Sequence, residues 1–518
     1  MQLGTRRRWF LGGSLGLAAA VIAVLITFGV PQAQGGCGGG IEPEGELSNE
    51  DNEVWNAANN PAIFSSALEY NLDKLPAKGQ AKQIPWTGSY WPTAYDNINY
   101  RWDGSSSDSP AMKYQKAFGG TNVEDMVSKY HGIDSMTSSK ACTATSQCSR
   151  SDGEICAKRT GKTSGRCIPT WFGICHGWTP AAILFAEPKH PVVKNGVTFK
   201  INDLKALASL AHDKTSTKFI SLRCDTTNRA NAMNFDKYGR PSDEACRDTN
   251  AGSFHLLVAN FLGKGKAFAE DRTLDAEVWN QPLRGYRVLE KREVSAQEAN
   301  KLIGVKADPG PVTKKTGTVT AGQWGHQDPI AVAAGQAFKV AMTGNGDADL
   351  YLQFDAQPTA AAYFCRPFKK GSSESCSGVV PAGKTKLFVS VIGNAAAPTS
   401  TFTLQISSGG QISTTYQFNT SATKFVYQKV DVDYISEESP QDDGYMTPHI
   451  DEYTQTDHYE YILELDGQGR VQGGEWVGQS KEVHPDFLWL PIKASAPSVA
   501  GGTIKYADVK ALMDASIK

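Results

Sequence analysis

Residues 278–290 read VWNQPLRGYRVLE, and they set a large aromatic, two amides and a proline side by side at Trp279, Asn280, Gln281 and Pro282. An internal proline breaks a regular helix, and in a central strand it removes a ladder hydrogen bond. The cluster therefore predicts a turn that leads the chain away from a preceding strand.

Around this cluster the chain runs to 518 residues with a formal net charge of -2 and 20% charged residues. A single hydrophobic core usually stops growing at about 250–300 residues, so the length predicts two or three domains. The near-neutral charge gives no electrostatic reason for nucleic-acid binding, and we expect no nucleic-acid partner.

The N-terminus predicts export. Residues 1–36 combine three arginines in TRRRWFLGG, an apolar run in SLGLAAAVIAVLITFGV and small residues in PQAQGG, which together are typical of a signal peptide. RRWFL also resembles a twin-arginine signal. The apolar run is nearly long enough to span a bilayer, so an uncleaved anchor is the alternative. Residues 37–84 open with a Gly- and acid-rich stretch of few apolar residues and predict a flexible lead-in. We expect the protein to be secreted, periplasmic or on the cell surface.

Ten cysteines in an exported chain indicate disulfides. Setting aside Cys37 and Cys175, the clustering favours local pairs: the first four of the remaining cysteines among themselves, then the next two, then the last two. These eight are Cys142, Cys148, Cys156, Cys167, Cys224, Cys246, Cys365 and Cys376. Zinc is the weaker alternative for the first four, because no histidine lies between them and the compartment is oxidising.

The remaining sequence predicts an α+β chain with an interruption. Residues 85–311 and 411–518 mix helical and strand-like runs, with a disulfide-rich insert at 142–167. Residues 312–410 are short strand-like runs between Gly, Pro and Asn turns, which is typical of a small β-sandwich. This segment resembles the bacterial pre-peptidase C-terminal domain in GNGDADLYLQF, the Cys365 and Cys376 pair and PAGKTKLFVSV. The acids of GDAD are a weak calcium signal, because they do not form a full calcium-binding pattern.

Cys175 is the odd cysteine, and WFGICHGW places it between Gly173 and Gly177 ahead of a helix, with Trp178 three residues on. A nucleophilic cysteine needs backbone N–H groups for an oxyanion and an accessible setting, which small neighbours allow. Thr179-Pro180 predicts that the helix starts at Thr179, which leaves Cys175 about one turn upstream. A buried free cysteine, or a disulfide partner of Cys37, is the alternative interpretation.

His255 is the candidate base. SFHLLVANFLGKGKAFAED (253–271) predicts two strands joined by a Gly-Lys-Gly turn, which sets His255 and Asp271 on one face as diagonal neighbours. An acid beside histidine fixes its tautomer, as in nucleophile–base–orienter triads. Asp275 has the same parity, and Asn280 offers an amide in its place. A core histidine is the alternative role of His255, and His484 is the rival base.

VWNQPLRGYRVLE, preceded by Glu277, closely resembles the elicitor segment of the transglutaminase elicitor family, the oomycete-type extracellular transglutaminases related in fold to papain-like cysteine peptidases. PWTGSYWPTAYDNINYRWDG, WFGICHGW, AGSFHLLVANFLG and VDYISEESPQDDG resemble that family too. The resemblance implies a papain-like cysteine-peptidase or transglutaminase-type catalytic domain interrupted by the sandwich.

The resemblance also implies protein-glutamine γ-glutamyltransferase activity. Cys175 would attack a glutamine carboxamide, His255 would move the proton, and Asp271 would orient His255. A lysine or another primary amine would then take the acyl group. Calcium is an implied cofactor without named ligands, and the sandwich is a candidate binder of a surface polymer or a protein. Trp178, Trp279 and Pro282 would support the site. A cysteine protease or deamidase with the same triad, and an inactive surface-binding protein, are the alternatives.

Overall fold

The computed structural model of the protein describes residues 57–222, 241, 246–273, 278–305, 310–410 and 412–518. The helices in this part of the chain are α1 (Pro110–Phe118), α2 (Val123–His131), α3 (Cys175–Leu184), α4 (Ile201–Ala211), α5 (Ala251–Asn260), α6 (Ala296–Ile303), α7 (Ser480–Val483) and α8 (Tyr506–Ser516). The strands are β1 (Lys78–Gln80), β2 (Ala141–Cys142), β3 (Glu154–Ala157), β4 (Gly165–Pro169), β5 (Val192–Lys194), β6 (Val197–Phe199), β7 (Thr215–Ile220), β8 (Ala269–Asp271), β9 (Asn280–Val294), β10 (Val312–Thr320), β11 (Trp324–His326), β12 (Ile330–Ala331), β13 (Ala337–Asn345), β14 (Ala348–Phe354), β15 (Glu374–Val379), β16 (Lys386–Gly393), β17 (Thr399–Gly410), β18 (Lys424–Ile435), β19 (Thr454–Leu465), β20 (Val471–Trp476), β21 (Leu488–Ala494), β22 (Ser498–Val499) and β23 (Ile504–Lys505).

The largest sheet has eight strands in the described residues, in the order β20-β19-β18-β9-β8-β21-β7, with β1 also paired to β9. Its neighbouring strands all run antiparallel. Helices and antiparallel strands together agree with the predicted α+β class.

Each face of this sheet is covered by its own hydrophobic core, because side chains alternate between the faces of a strand. On one face, Ala269 and Trp489 join a cluster that contains residues of α3 and α4. On the other face, Leu488 joins a cluster that contains Phe254 and its neighbours in α5. The sheet therefore separates α3 from α5.

The turn predicted at Trp279–Pro282 is wrong for the last three of these residues, because Asn280, Gln281 and Pro282 open the central strand β9. Pro282 lies opposite Ala269 of β8. The pairing of β9 with β18 is irregular at this end, with a register shift between Asp433 and Tyr434. A proline is tolerated where a ladder is irregular, since fewer backbone donors are required there.

The first of the two strands predicted within residues 253–271 is also wrong, because this part of the chain belongs to the helix α5. Asn250 caps a helix through its side chain, which accepts from the backbone N–H of Gly252 at 2.9 Å and of Ser253 at 3.4 Å. All ten residues of α5 are buried. A run that is buried on every side is apolar throughout, so it lacks the alternation that separates strand from helix. Only Ala269–Asp271 forms a strand, as β8.

The lead-in predicted for 37–84 is not a flexible segment in its described part, residues 57–84. Phe64 and Leu72 are buried in the α5-side core, and β1 pairs with β9. The segment was predicted to be flexible because its composition is polar, like that of the residues before it. Its few apolar side chains are nevertheless enough to pack it into the core.

The predicted disulfide insert is confirmed. Strands β2, β3 and β4 form a small sheet in the order β2-β4-β3, and bridges join Cys142 to Cys156 and Cys148 to Cys167. With so few apolar residues between the cysteines, the two bridges do most of the cross-linking that a core does elsewhere.

Residues 312–410 form two four-stranded sheets, called the two-sheet unit below. Phe338, Leu350, Val389 and Leu404 belong to the buried core that the strands of these sheets share. The predicted bridge between Cys365 and Cys376 is present. None of the described helices is long and apolar enough to cross a membrane.

Candidate functional site

Cys175 is the first residue of α3, and its side chain is fully buried. The helix thus begins four residues before the predicted start at Thr179, with Pro180 inside it. The first-turn N–H groups of a helix have no partners within the helix and carry the positive end of its dipole. A sulfur anion at Cys175 would therefore be stabilised by the helix start.

The glycines around Cys175 serve close packing. A Cβ atom on Gly177 would collide with the carbonyl oxygen of Ser209 in α4, and one on Gly173 would collide with the carbonyl oxygen of Tyr90. The small residues predicted to keep the site open instead let two backbone segments approach α3. Cys175 is accordingly held in one position.

Asn280 is the described side chain that donates to the sulfur. Its Nδ2 lies 3.5 Å from Sγ of Cys175, and the carbonyl oxygen of Val278 lies 3.8 Å from the same sulfur. Thr179 donates from Oγ1 to the carbonyl oxygen of Asn280 at 2.9 Å. This bond fixes the start of β9 against α3.

Asp271 is the cross-strand partner of Asn280, so the two side chains project from the same face of the sheet. Its Oδ1 accepts from the backbone N–H of Trp279 at 2.8 Å and from Oγ1 of Thr273 at 2.9 Å. The carboxylate is fully buried. The structure thus brings Cys175, Asn280 and Asp271 to one face, while Asp275 lies outside the described residues.

His255 does not join this group. It is buried in α5, and its Nδ1 lies 2.8 Å from the hydroxyl of Tyr461. Because α5 covers the opposite face, the sheet lies between His255 and Cys175. Burial lowers the pKa of His255 to about 3, so the imidazole is neutral at physiological pH.

The imidazole next to Cys175 in sequence has a different partner. His176 Nε2 lies 2.9 Å from Oδ1 of Asp213, and His131 Nδ1 lies 3.4 Å from the same oxygen. Burial alone would raise the pKa of Asp213, but the hydrogen bonds from the two histidines hold it well below its usual range. Sequence reasoning missed this partly buried group of three residues, because they are far apart in the chain.

The other candidates have structural contacts. Nδ1 of His484 lies 2.7 Å from the carbonyl oxygen of Ser480, and its ring stacks on Trp476 with 5.0 Å between ring centroids. Trp178 is fully buried and donates to the carbonyl oxygen of Trp86 at 3.3 Å. Trp279 is partly buried, and its ring meets Tyr90 edge-on at 6.4 Å.

The sulfur of Cys175 is part of a disulfide, as is that of Cys246. Cys37 and Cys224 lie outside the described residues, so the predicted bridge between Cys224 and Cys246 stays a prediction. A bonded sulfur is not a nucleophile, and Cys175 can attack a substrate only after this bond is reduced.

Within the described residues, no group of three or more close carboxylates marks a calcium site. The one close group of potential metal ligands among the described residues consists of the sulfurs of Cys142, Cys148 and Cys167, and these sulfurs are in disulfides. Of the GDAD acids, Asp347 accepts from the backbone N–H of Gly371 at 2.7 Å.

Comparisons with known proteins follow the same division of the chain. The bacterial pre-peptidase C-terminal domain matches residues 329–393. Among curated proteins, alkaline serine exoprotease A of Vibrio alginolyticus is 44% identical over 81 residues, and neutral protease of Vibrio proteolyticus is 50% identical over 42 residues. These alignments cover 14% and 8% of this chain, and only 15% and 7% of the two relatives.

Two further comparisons cover most of the chain. The crystal structure of the GP42 transglutaminase from Phytophthora sojae is similar with a TM-score of 0.57 and 33% identity, over 88% of this chain and 95% of that one. The model of the transglutaminase elicitor family matches residues 58–313 and 403–518, which include Cys175, Asp271 and Asn280. The chain therefore belongs to the transglutaminase elicitor family.

Proposed function

We propose that this protein is an exported protein-glutamine γ-glutamyltransferase whose nucleophile is Cys175. The observation that carries the proposal is the position of Cys175, at the start of a buried helix with the Asn280 amide beside its sulfur. Family membership and the likeness to the GP42 transglutaminase support the reaction class.

The proposed reaction has two transfers. The reduced Cys175 sulfur attacks the carboxamide carbon of a glutamine side chain, the C–N bond breaks, and ammonia leaves with the thiol proton. The resulting thioester is then attacked by a primary amine such as a lysine side chain. An amide bond forms, and the sulfur of Cys175 regains a proton.

The site suggests separate roles for its neighbours. The Nδ2 group of Asn280 and the N–H groups at the helix start would stabilise negative charge on the sulfur. Any proton carrier has to lie on the Cys175 face of the sheet. Asp271 meets this condition and His255 does not. Asp271 therefore takes the role of proton carrier that the sequence analysis gave to His255.

The architecture and location belong to the same proposal. We propose a papain-like catalytic domain, formed by residues 85–311 and 411–518, that is interrupted by a β-sandwich able to bind a surface polymer or a protein substrate. Three bridges between described cysteines favour an oxidising compartment outside the cytoplasm.

The competing functions differ in the acceptor. A deamidase or cysteine protease would use water instead of an amine, and a surface-binding protein would have no reaction at all. Buried placement of Cys175 favours amine transfer, since exclusion of water protects a thioester from hydrolysis.

The test uses reduced protein with casein and a fluorescent primary amine. The wild type should attach the amine to casein, and Cys175→Ala should not. Cys246→Ala is the matched control, because it also removes a disulfide-bonded cysteine and should retain activity if folded. Peptide fragments, or deamidated casein without label, would favour the hydrolytic functions. No reaction from folded, reduced wild type would refute catalysis.

A further inference from the structure

We propose that Asp213 is a positioning residue for the nucleophile, which acts through His176 to hold the start of α3 in the orientation that attack by Cys175 requires. This inference rests on the proposed function, because it concerns the placement of the same sulfur. His176 directly follows Cys175 in α3, and its ring contacts the carboxylate of Asp213, two residues beyond the end of α4.

The bond between His176 and Asp213 is charge-assisted. Burial alone would raise the pKa of Asp213, but the hydrogen bonds from His131 and His176 hold that pKa well below its usual range, so the carboxylate is ionised. An ionised carboxylate only accepts, so Nε2 of His176 carries the hydrogen and donates to Oδ1 of Asp213 at 2.9 Å. The side chains of His176 and Asp213 are only 14% and 12% exposed, so water competes weakly for this bond.

The ring of His176 depends on this bond for its orientation. Its other nitrogen, Nδ1, is buried and has no hydrogen-bond partner among the described residues. The torsion that rotates an imidazole has a broad preference, so a polar partner is needed to fix the ring in one setting. Removal of the Asp213 carboxylate would therefore release the ring and loosen the helix turn that carries it.

The start of α3 is held from two different sides. On the side of the preceding segment, the N–H of Ile174 donates to the carbonyl oxygen of Tyr90 at 2.6 Å. On the side of α4, His176 donates to Asp213. On that second side, a Cβ atom added to Gly177 would lie 3.5 Å from Cα of Asp213. Asp213 therefore lies against the turn that begins with Cys175.

A small shift of this turn would affect attack by the sulfur. Productive attack needs the reacting atoms about 3–3.5 Å apart and aligned, and a misplacement of about 1 Å can cost a factor of about 100 in rate. The sulfur of Cys175 also lies 3.5 Å from Nδ2 of Asn280, and movement of α3 relative to β9 would lengthen this contact. A loss of positioning should thus lower kcat and the reactivity of the thiolate while KM stays nearly unchanged.

The experiment compares His176→Ala with His176→Gln in reduced, full-length protein. The amide nitrogen of glutamine can take the place of Nε2 and donate to Asp213, whereas alanine cannot. We expect kcat for ammonia release from a glutamine-containing peptide to fall roughly tenfold to hundredfold in His176→Ala, with KM close to wild type. His176→Gln should recover most of this loss. A purely structural role would lower the folded fraction, measured by circular dichroism, and not kcat per folded molecule.

Further variants test whether Asp213 acts through His176. Asp213→Asn keeps the shape of the side chain and removes its charge, so it should lower kcat in otherwise wild-type protein. Combined with His176→Ala it should cost nothing further, because the two residues share one interaction. His131→Ala is the matched control: it removes the other imidazole, 3.4 Å from the same carboxylate oxygen but in α2, and should keep kcat close to wild type. If His176→Ala does not fold, a fall in Asp213→Asn against an unchanged His131→Ala still supports the inference, and equal values in these two variants overturn it.

Several results would overturn the positioning role. Wild-type kcat in folded His176→Ala would do so, as would no recovery in His176→Gln, losses that multiply in the double variant, or an equal loss in His131→Ala. A folded, reduced wild type without ammonia release would refute the proposed function instead. The rate of iodoacetamide alkylation at Cys175 then decides: a lower rate in His176→Ala than in His176→Gln would support positioning, and equal rates would overturn it.

Discussion

Replacement of Asn280 tests the chemistry proposed at the sulfur. Asn280→Ala removes the Nδ2 donor that lies 3.5 Å from Sγ of Cys175. A hydrogen bond to a charged group contributes about 1.5–3 kcal/mol, and each 1.4 kcal/mol corresponds to a factor of about ten in rate. We therefore expect iodoacetamide alkylation of reduced Cys175 at neutral pH, and ammonia release, to fall roughly tenfold to hundredfold.

Gln281→Ala is the matched control. Gln281 is the next residue of β9, is equally buried, and donates from Nε2 to Glu437 at 2.8 Å rather than to the sulfur. Both variants lose a buried amide, so a general loss of stability would slow both equally. Unchanged alkylation in folded Asn280→Ala, or an equal loss in Gln281→Ala, would refute the role given to Asn280.

The remaining predictions concern the fold around the site. His255→Ala should lower the free energy of unfolding by about 2–4 kcal/mol through a cavity and an unpaired buried hydroxyl, yet leave the activity per folded molecule unchanged; loss of activity with intact folding would contradict its placement behind the sheet. Burial lowers the pKa of His212 from its usual value of about 6.5 to about 4. The unfolded chain therefore binds the proton first, and the free energy of unfolding should fall as the pH drops from about 6.5 to about 4. Denaturant unfolding of His212→Gln should show a shallower fall over that range, and an identical slope would contradict the assignment. Gly177→Ala should destabilise by about 1–3 kcal/mol because its Cβ meets backbone, whereas Gly467→Ala, with its nearest neighbour at 3.9 Å, should unfold close to wild type in thermal melts.

The sequence predicted the features that rest on local spacing. Closely spaced cysteines can bridge without long-range information, and the pairs within Cys142–Cys167 and Cys365–Cys376 are confirmed. The family resemblance, carried by short motifs, is confirmed over most of the chain.

The features that depend on packing could not be predicted in the same way. The apolar run around His255 is buried on every side, so its pattern fits a strand and a helix equally, and the wrong choice moved the histidine to the wrong face. Pro180 suggested a later helix start because a proline favours the first turn, whereas here it lies inside α3.

The sequence indicated Asn280 only as an alternative to the acid of the site, and it did not predict the contact of Asn280 with Cys175. Its residue type offered an amide, but its approach to Cys175 depends on the pairing of β8 with β9 and on the bond between Thr179 and the Asn280 carbonyl. The contacts of His131 and His176 with Asp213 depend likewise on tertiary packing. No local sequence motif indicates either arrangement.

The pairing of β9 with β18 has a consequence for how the chain is assembled. These strands are neighbours, with Val294 opposite Phe425, although the whole two-sheet unit lies between them in sequence. The first and last strands of that unit also pair, with Val312 opposite Ser407. The chain therefore leaves and re-enters the main sheet at nearby points, as a cassette does. Gain, loss or exchange of the two-sheet unit would leave the β9–β18 ladder and the Cys175 site intact. The catalytic site and the two-sheet unit can therefore change independently during evolution or engineering.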